Sequence, residues 1–119
     1  MPVLTAQDNA VTSATIAASG NLSGAIDMRR FTRLLVHMPS AWTAASIGFK
    51  VAPSNGGTYQ ILYDDNGDLL QIDSAAASKS YAAPAGIAGA GWVKLWSQNG
   101  SGTNTAQAAA RTLTLELKT

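Results

Sequence analysis

The sequence predicts an all-β fold: an antiparallel β-sandwich of about seven or eight short strands with an extended N-terminal arm. Apolar and polar residues alternate in several segments, and runs of glycine, proline, asparagine and serine separate these segments at intervals of about 8 to 12 residues. The crossover helices that a parallel α/β sheet requires are missing from the pattern. The sequence leaves open whether the sandwich has a jelly-roll or an immunoglobulin-like topology.

Residues 1–24 are predicted to form the arm, and residues 25–119 the β-sandwich domain. Small and polar residues dominate the arm, and only Val11 and Ile16 favour a short strand there. Burial of so little apolar area does not offset the conformational entropy that the segment loses on ordering. We therefore expect the arm to become ordered only against a neighbouring chain segment or protein. Its apolar candidates for contact with a partner are Val3, Leu4, Val11 and Ile16.

The strands that follow are predicted from a side-chain period of two. The alternating segments are 33–38, 47–51, 58–63, 69–72, 92–96 and 111–118. The last is the clearest, because Leu113, Leu115 and Leu117 share one face while the other face carries Thr112, Thr114, Glu116 and Lys118. These segments and the strand in the arm together give the expected count.

Turn residues separate the strands. Proline and glycine predict a turn at 53–57, and the Asn66-Gly67 pair predicts a tight hairpin reversal. The alanine-rich segment 74–78 is followed too soon by Pro84 to form a stable helix, so a short loop or strand is expected. Residues 99–104 are predicted to form a flexible loop.

Composition excludes several function classes. The 119 residues and 12.2 kDa fit one domain, and the formal net charge is +1. Broad electrostatic attraction to nucleic acid or to an anionic membrane is therefore not expected. Zero cysteines exclude disulfides and thiolate sites. The chain start lacks the pattern of a signal peptide, and no segment is long and apolar enough to span a membrane, so we expect synthesis in the cytoplasm.

No catalytic, cofactor or metal site is predicted, and we expect a protein that is not an enzyme. His37 is the only histidine, so neither a histidine metal cluster nor a catalytic triad has support in the sequence. The acidic run 64–68 resembles the start of a calcium loop. Glycine falls at its fourth position rather than its sixth, however, and Ala75 stands where a glutamate ligand belongs. A hairpin turn is the better interpretation.

Trp92 and Trp96 lie on one face of a predicted strand, with Lys94 between them. Two interpretations stay open. If Val93 and Leu95 face the core, the tryptophans lie outside and indicate an interface. If the tryptophans face inward, they are core residues. Exposed and coplanar indoles would also form a stacking platform for a sugar.

Arg29, Arg30 and Arg33 form the one basic cluster of the sequence. The simpler interpretation is a solvated strand start near Asp27. The functional alternative is that these guanidinium groups form forked hydrogen bonds with carboxylates of a protein partner.

Three features together carry a resemblance to a known family. They are the Met-Pro-x-x-Trp-Thr-x-Ala core within residues 38–52, which contains Trp42, the Asp-Asn-Gly hairpin, and the closing segment 111–115. In these features the chain resembles small structural proteins of tailed bacteriophages that are encoded beside the major capsid protein. The resemblance covers residues 30–117 and leaves the arm outside.

The resemblance implies a virion component, a head decoration or cement protein bound to the outer capsid surface. Its implied partners are the major capsid protein and further copies of the chain, as a trimer or another homo-oligomer, with Trp42 among the contact candidates. Deleting residues 2–24 is then expected to abolish capsid binding and leave the sandwich folded. A tail tube or fibre component and a carbohydrate-binding module are the alternatives.

Overall fold

The computed structural model describes residues 9–119 and shows an all-β sandwich, which confirms the predicted fold class. Its strands are β1 Asn9–Ile16, β2 Ile26–Asp27, β3 Arg33–His37, β4 Ser46–Ala52, β5 Gln60–Ile61, β6 Gln71–Ile72, β7 Ser80–Ala82, β8 Trp92–Gln98 and β9 Arg111–Lys118. A short 3₁₀ helix, Ala85–Gly89, lies between β7 and β8. Within residues 9–119, no helix has the length and apolar character that crossing a membrane requires.

Two antiparallel sheets form the sandwich. Sheet A has the strand order β1-β9-β3-β7, and sheet B has the order β2-β8-β4-β5, with β6 also paired to β4. The pairs are nested along the chain: β1 pairs with β9, β2 with β8, β3 with β7, and β4 with β5 and β6. This is the connectivity of a jelly roll, in which a long hairpin is wrapped into two facing sheets.

The core lies between the two sheets and is built from the alternating side chains. Leu113, Leu115 and Leu117 of β9 are buried, and Val93 and Leu95 of β8 are fully buried opposite them. Each such side chain contributes about 2 kcal/mol through the removal of apolar surface from water. Thr112, Thr114, Glu116 and Lys118 lie on the outer face of sheet A, as the period of two predicts.

The predicted arm is wrong for residues 9–24, which are part of the sandwich. Strand β1 pairs with all eight residues of β9, from Asn9 opposite Lys118 to Ile16 opposite Arg111. Ile16 is fully buried, and Ala14 is buried beside it. The neighbour that this segment needs is supplied by the leucine-rich β9 of the same chain. Residues 1–8, with the contact candidates Val3 and Leu4, lie outside the described residues.

The expected consequence of deleting residues 2–24 changes for the same reason. That deletion removes the whole of β1, including the core side chain of Ile16. Strand β9 would then become a sheet edge, and its leucines would lose the buried side chains of Ala14 and Ile16 beside them. The truncated chain is therefore not expected to stay folded, so the deletion cannot separate binding from folding.

The hairpin predicted at Asn66-Gly67 is confirmed, although the strands beside it are shorter than predicted. Gly67 has a φ of 81°, a conformation that glycine adopts without a Cβ clash. The Asp64 carboxylate accepts hydrogen bonds from the backbone N–H groups of Asn66 and Asp68, both at 2.9 Å. The run that resembled a calcium loop therefore uses its first carboxylate to close its own turn.

Candidate functional site

The outer face of sheet B carries two tryptophans and two lysines on adjacent strands. The pairing of β4 with β8 places Gly48 opposite Trp96, Lys50 opposite Lys94, and Ala52 opposite Trp92. Because Val93 and Leu95 fill the core, these opposed residues point away from it. Trp92, Lys94 and Trp96 thus share one face, as the sequence predicted.

Trp96 is buried, although it lies outside the core between the sheets. Its exposed fraction is 1%, and its indole Nε1 donates a 2.7 Å hydrogen bond to Asn104 Oδ1 in the loop after β8. Gly48 allows the ring to lie flat on the neighbouring strand, since a Cβ there would stand 2.7 Å from the ring atom Cε3. The loop that was predicted to be flexible therefore covers the indole.

The loop after β8 is held by a buried glutamine. Gln98 Oε1 accepts hydrogen bonds from the backbone N–H groups of Gly100 at 2.6 Å and Gly102 at 3.1 Å. Its Nε2 donates to Gln71 Oε1 at 2.6 Å. Both loop glycines have positive φ, of 94° and 91°, which explains why the loop is rich in glycine.

These positions rule out the predicted sugar platform of two exposed tryptophans. Trp92 is half-buried, and Trp96 is covered. Stacking of a sugar ring needs an open aromatic face, and of these two tryptophans Trp96 offers none. The prediction that Trp96 contacts a partner is therefore wrong. The buried indole instead supports the side chain of Lys50.

Three cation–π contacts lie on this one face of sheet B. The Arg29 guanidinium lies 4.9 Å from the Trp92 ring centroid, and Lys50 Nζ lies 4.7 Å from that of Trp96. Lys94 Nζ lies 4.4 Å from the Tyr59 ring centroid. Such contacts hold a cation at the surface while its hydrocarbon stem covers apolar area. We call Lys50, Lys94 and the rings of Tyr59 and Trp96 the lysine–aromatic face.

The predicted basic cluster of three arginines does not form one site. Arg29 donates a forked pair of hydrogen bonds to Asp27, from Nε at 2.9 Å and from Nη2 at 2.8 Å. Arg33, at the start of β3 in the other sheet, donates from Nη2 to the main-chain oxygen of Thr119 at 2.6 Å. In the functional alternative the forked hydrogen bonds go to a partner's carboxylate, whereas those of Arg29 go to Asp27 of this chain. Arg30 is exposed beside Arg29.

The forked pair gives a prediction for acid titration. Hydrogen bonds from Arg29 lower the pKa of Asp27 from 3.8 to about 2. Because this folded-state pKa lies below the ordinary value, the pair stabilises the fold fully above pH 3.8 and loses that effect as the pH falls through 2. Carboxyl NMR should show Asp27 titrating near 2, and Arg29→Gln should return its midpoint towards 3.8.

Arg30→Gln is the matched control, because Arg30 acts on Asp27 only as a nearby charge. It should move the Asp27 midpoint less than Arg29→Gln does. An Asp27 midpoint that stays the same in the Arg29 variant would contradict the assignment of the pair.

The other predicted contact residues are divided between the core and the surface. The prediction that Ile16 contacts a partner is wrong, because its side chain is fully buried. Val11 is 68% exposed on the outer face of β1 and stays a candidate. Trp42 is half-buried against the core, and its Nε1 donates to the Ala45 oxygen at 3.2 Å.

His37 forms a surface network that the sequence did not indicate. Its Nε2 donates to Glu116 Oε1 at 2.8 Å, so Nδ1 accepts from the Ser80 hydroxyl at 2.6 Å in the neutral ring. The hydrogen bond from His37 lowers the pKa of the Glu116 carboxyl. The three residues meet because the register of β3 places His37 opposite Ser80 of β7 and opposite Thr114 of β9, and Glu116 lies two residues along β9 on the same face. Pairing across strands is not visible as a spacing along the chain.

The surface formed by residues 9–119 contains open cavities of about 320 and 280 Å³, and neither is lined by His37 or Glu116. The larger is lined by Ala44, Ala45, Ser46, Ser74, Ala75, Asn99 and Thr105. Strands β4 and β5 and the 3₁₀ helix border the smaller one. Neither lining includes an ionisable side chain, and neither includes Ser80. The residues described from Asn9 onwards contain no group of three histidine or acidic residues arranged to hold a metal.

No protein-family model matches this chain, and no curated protein matches it. Among solved structures, the crystal structure of SPBc2 prophage-derived protein YomS is similar over 100% of both chains. The TM-score is 0.65 and the sequence identity is 17%. At this identity the likeness shows a common fold, here the complete jelly roll.

Proposed function

We propose that this chain is a structural protein of a bacteriophage virion, a decoration or cement protein that binds the outer surface of the head and stabilises it. The observation that carries the proposal is the end-to-end fold likeness to a prophage-derived protein. Jelly-roll sandwiches are also a recurrent architecture of viral capsid domains, which is support by analogy of fold. The resemblance of residues 30–117 to phage structural proteins agrees with both.

Strand β1 supplies a means of attachment. It is an edge strand of eight residues, and among residues 9–119 none pairs with its outer side between Asn9 and Thr15. Proteins usually protect long edges with charged residues, proline or a bulge, and β1 contains no charged residue and no proline. A strand of the major capsid protein, or of another copy of this chain, can add to such an edge through main-chain hydrogen bonds.

A structural role also agrees with the polar network at His37. A serine nucleophile needs a base, an orienting acid and donors for the oxyanion beside a substrate pocket. The Ser80, His37 and Glu116 side chains lie on the open outer face of sheet A, away from both cavities. We therefore interpret them as a surface network across strands that stabilises the order of β7, β3 and β9.

The test is to locate the chain on particles. Gold-labelled antibody against this chain is applied to virions produced from the genome that encodes it, and the label is mapped by electron microscopy. We expect gold on the outer head surface. Particles from a genome that lacks this reading frame are the control and should carry no label.

The other outcomes of this test contradict the proposal in distinct ways. Gold confined to the tail would replace head decoration with a tail tube or fibre role. Purified particles without label would remove the virion role altogether.

A further inference from the structure

We propose that the lysine–aromatic face of sheet B binds an acidic, extended segment of a partner protein. The inference rests on the proposed function only in naming a coat protein as the source of that segment. Its basis is the placement of Lys50 and Lys94 directly opposite each other on adjacent strands, without a carboxylate partner in the described part of the chain.

The two lysines form an unusual pair for the outside of a sheet. Like charges directly opposite each other on neighbouring strands destabilise a sheet. Among residues 9–119, Asp27 forms an ion pair with Arg29, and Glu116 forms one with Lys118. Neither Lys50 nor Lys94 has a carboxylate oxygen within 4.0 Å among these residues. A bound carboxylate would remove a repulsion that the free protein retains.

The aromatic rings hold both ammonium groups in place. Lys50 leans along the sheet towards Trp96, and Lys94 leans over β4 towards Tyr59. The Trp96 ring is fixed by its hydrogen bond to Asn104, so the support beneath Lys50 is rigid. A lysine that is already held loses less side-chain entropy when it binds a partner.

The register sets the shape of the ligand. Trp96 lies opposite Gly48, whereas Tyr59 directly precedes the β5 residue that lies opposite Val51. The two lysines therefore lean in opposite directions along β4, so they fit two separate carboxylates better than one. An extended acidic segment presents carboxylates at such intervals, because alternate side chains of a strand share one face.

Charge distribution favours a protein partner over nucleic acid. The pair carries +2, whereas the whole chain carries only +1, so the rest of the molecule is close to neutral. Arg29 borders the face but is already paired with Asp27. Nucleic-acid binding depends on many phosphate contacts and broad positive potential, which this chain lacks. Two local cations suffice to select an acidic peptide.

The experiment uses the full chain and a synthetic eight-residue peptide of alternating glutamate and serine. Binding is followed by NMR shifts of the Trp92 and Trp96 indole N–H groups. We expect the wild-type protein to bind this peptide, and K50Q/K94Q to lose at least about tenfold in affinity. The K79Q/K118Q protein removes the same charge elsewhere and should stay within about twofold of the wild type.

Each further measurement has a result that would overturn the inference. A glutamine–serine peptide should not bind, and an oligothymidylate of eight nucleotides should bind more weakly than the acidic peptide. Equal binding by the oligonucleotide would indicate that this face binds nucleic acid and not an acidic protein segment. Failure of the wild-type protein to bind the acidic peptide, or full binding by K50Q/K94Q, would refute the site. Thermal unfolding verifies folding, and K50Q/K94Q should be at least as stable as the wild type.

The inference and the virion role fail in different ways. If gold labels the heads and K50Q/K94Q decorates them as the wild type does, the lysine–aromatic face is not the attachment site and the role stands. If particles carry no label while the acidic peptide still binds with the expected loss in K50Q/K94Q, the face binds an acidic partner outside the virion.

Discussion

Gln107→Leu is expected to lower the free energy of unfolding by about 3 kcal/mol, although Gln107 lies in a loop. Its side chain is completely buried. Gln107 Oε1 accepts from Thr43 N at 2.9 Å, and Nε2 donates to the Thr43 oxygen at 3.0 Å and to Ser97 Oγ at 2.9 Å. Leucine fills a similar volume but leaves these polar groups without their partners.

The backbone of Gln107 adds to its importance. Its N–H donates to the Gly20 oxygen at 2.9 Å, and its oxygen accepts from Ser19 N at 2.8 Å. Arg111 Nε also donates to the side-chain oxygen, at 3.2 Å. This residue thus joins the loops before β2, before β4 and before β9, so local loss of its contacts is expected to loosen one end of the sandwich.

Urea unfolding of Gln107→Leu measures the effect, and the melting temperature should fall by about 10 °C. Gln60→Leu is the matched control, because Gln60 is exposed, and it should change the free energy of unfolding by less than about 0.5 kcal/mol. A loss below about 1 kcal/mol in Gln107→Leu would show that the buried hydrogen bonds can be replaced by water.

Nothing in the sequence distinguishes Gln107 from other polar residues of an alanine-rich loop. Its role depends on loops that are distant in the chain, since Thr43 lies 64 residues away. The long strands were predictable because their alternation repeats over five or more residues, as in β3 and β9. Strand β2 has two residues and β7 has three, which is too short for any period to show.

The error about the arm has a related cause. The apolar content of a segment was judged alone, whereas β1 is held by a partner strand about 100 residues later. The candidate site was also not predictable from single segments. Lys50 and Lys94 each stand at an alternating position, but their opposition depends on the register of β4 with β8. Register follows from tertiary packing and is not contained in either strand by itself.

Gly48→Ala is expected to destabilise the fold by about 2 kcal/mol, even though alanine is usually the better strand residue. The added Cβ would lie 2.7 Å from Cε3 and 3.3 Å from Cζ3 of Trp96. Those are atoms of a rigid ring, which the Asn104 hydrogen bond and the covering loop hold in place. The indole must therefore tilt, and its contacts with the loop and with Lys50 change.

A double-mutant cycle with Trp96→Leu isolates this contact. Trp96→Leu alone should cost about 3 kcal/mol, because it removes much of a large buried ring. In that background Gly48→Ala should be neutral or stabilising by about 0.5 kcal/mol, since the obstacle is gone and only the lower backbone entropy of alanine remains. The coupling energy between the two sites is then about 2 kcal/mol.

Gly24→Ala is the control, because a Cβ there meets no atom within 4 Å. It should change the free energy of unfolding by less than about 0.5 kcal/mol in either background. Additive effects of Gly48→Ala and Trp96→Leu would contradict the close contact between the strand and the ring. With the expected coupling, Gly48 is required because the indole occupies the outer surface of β4, and the same packing places a fixed ring beneath Lys50.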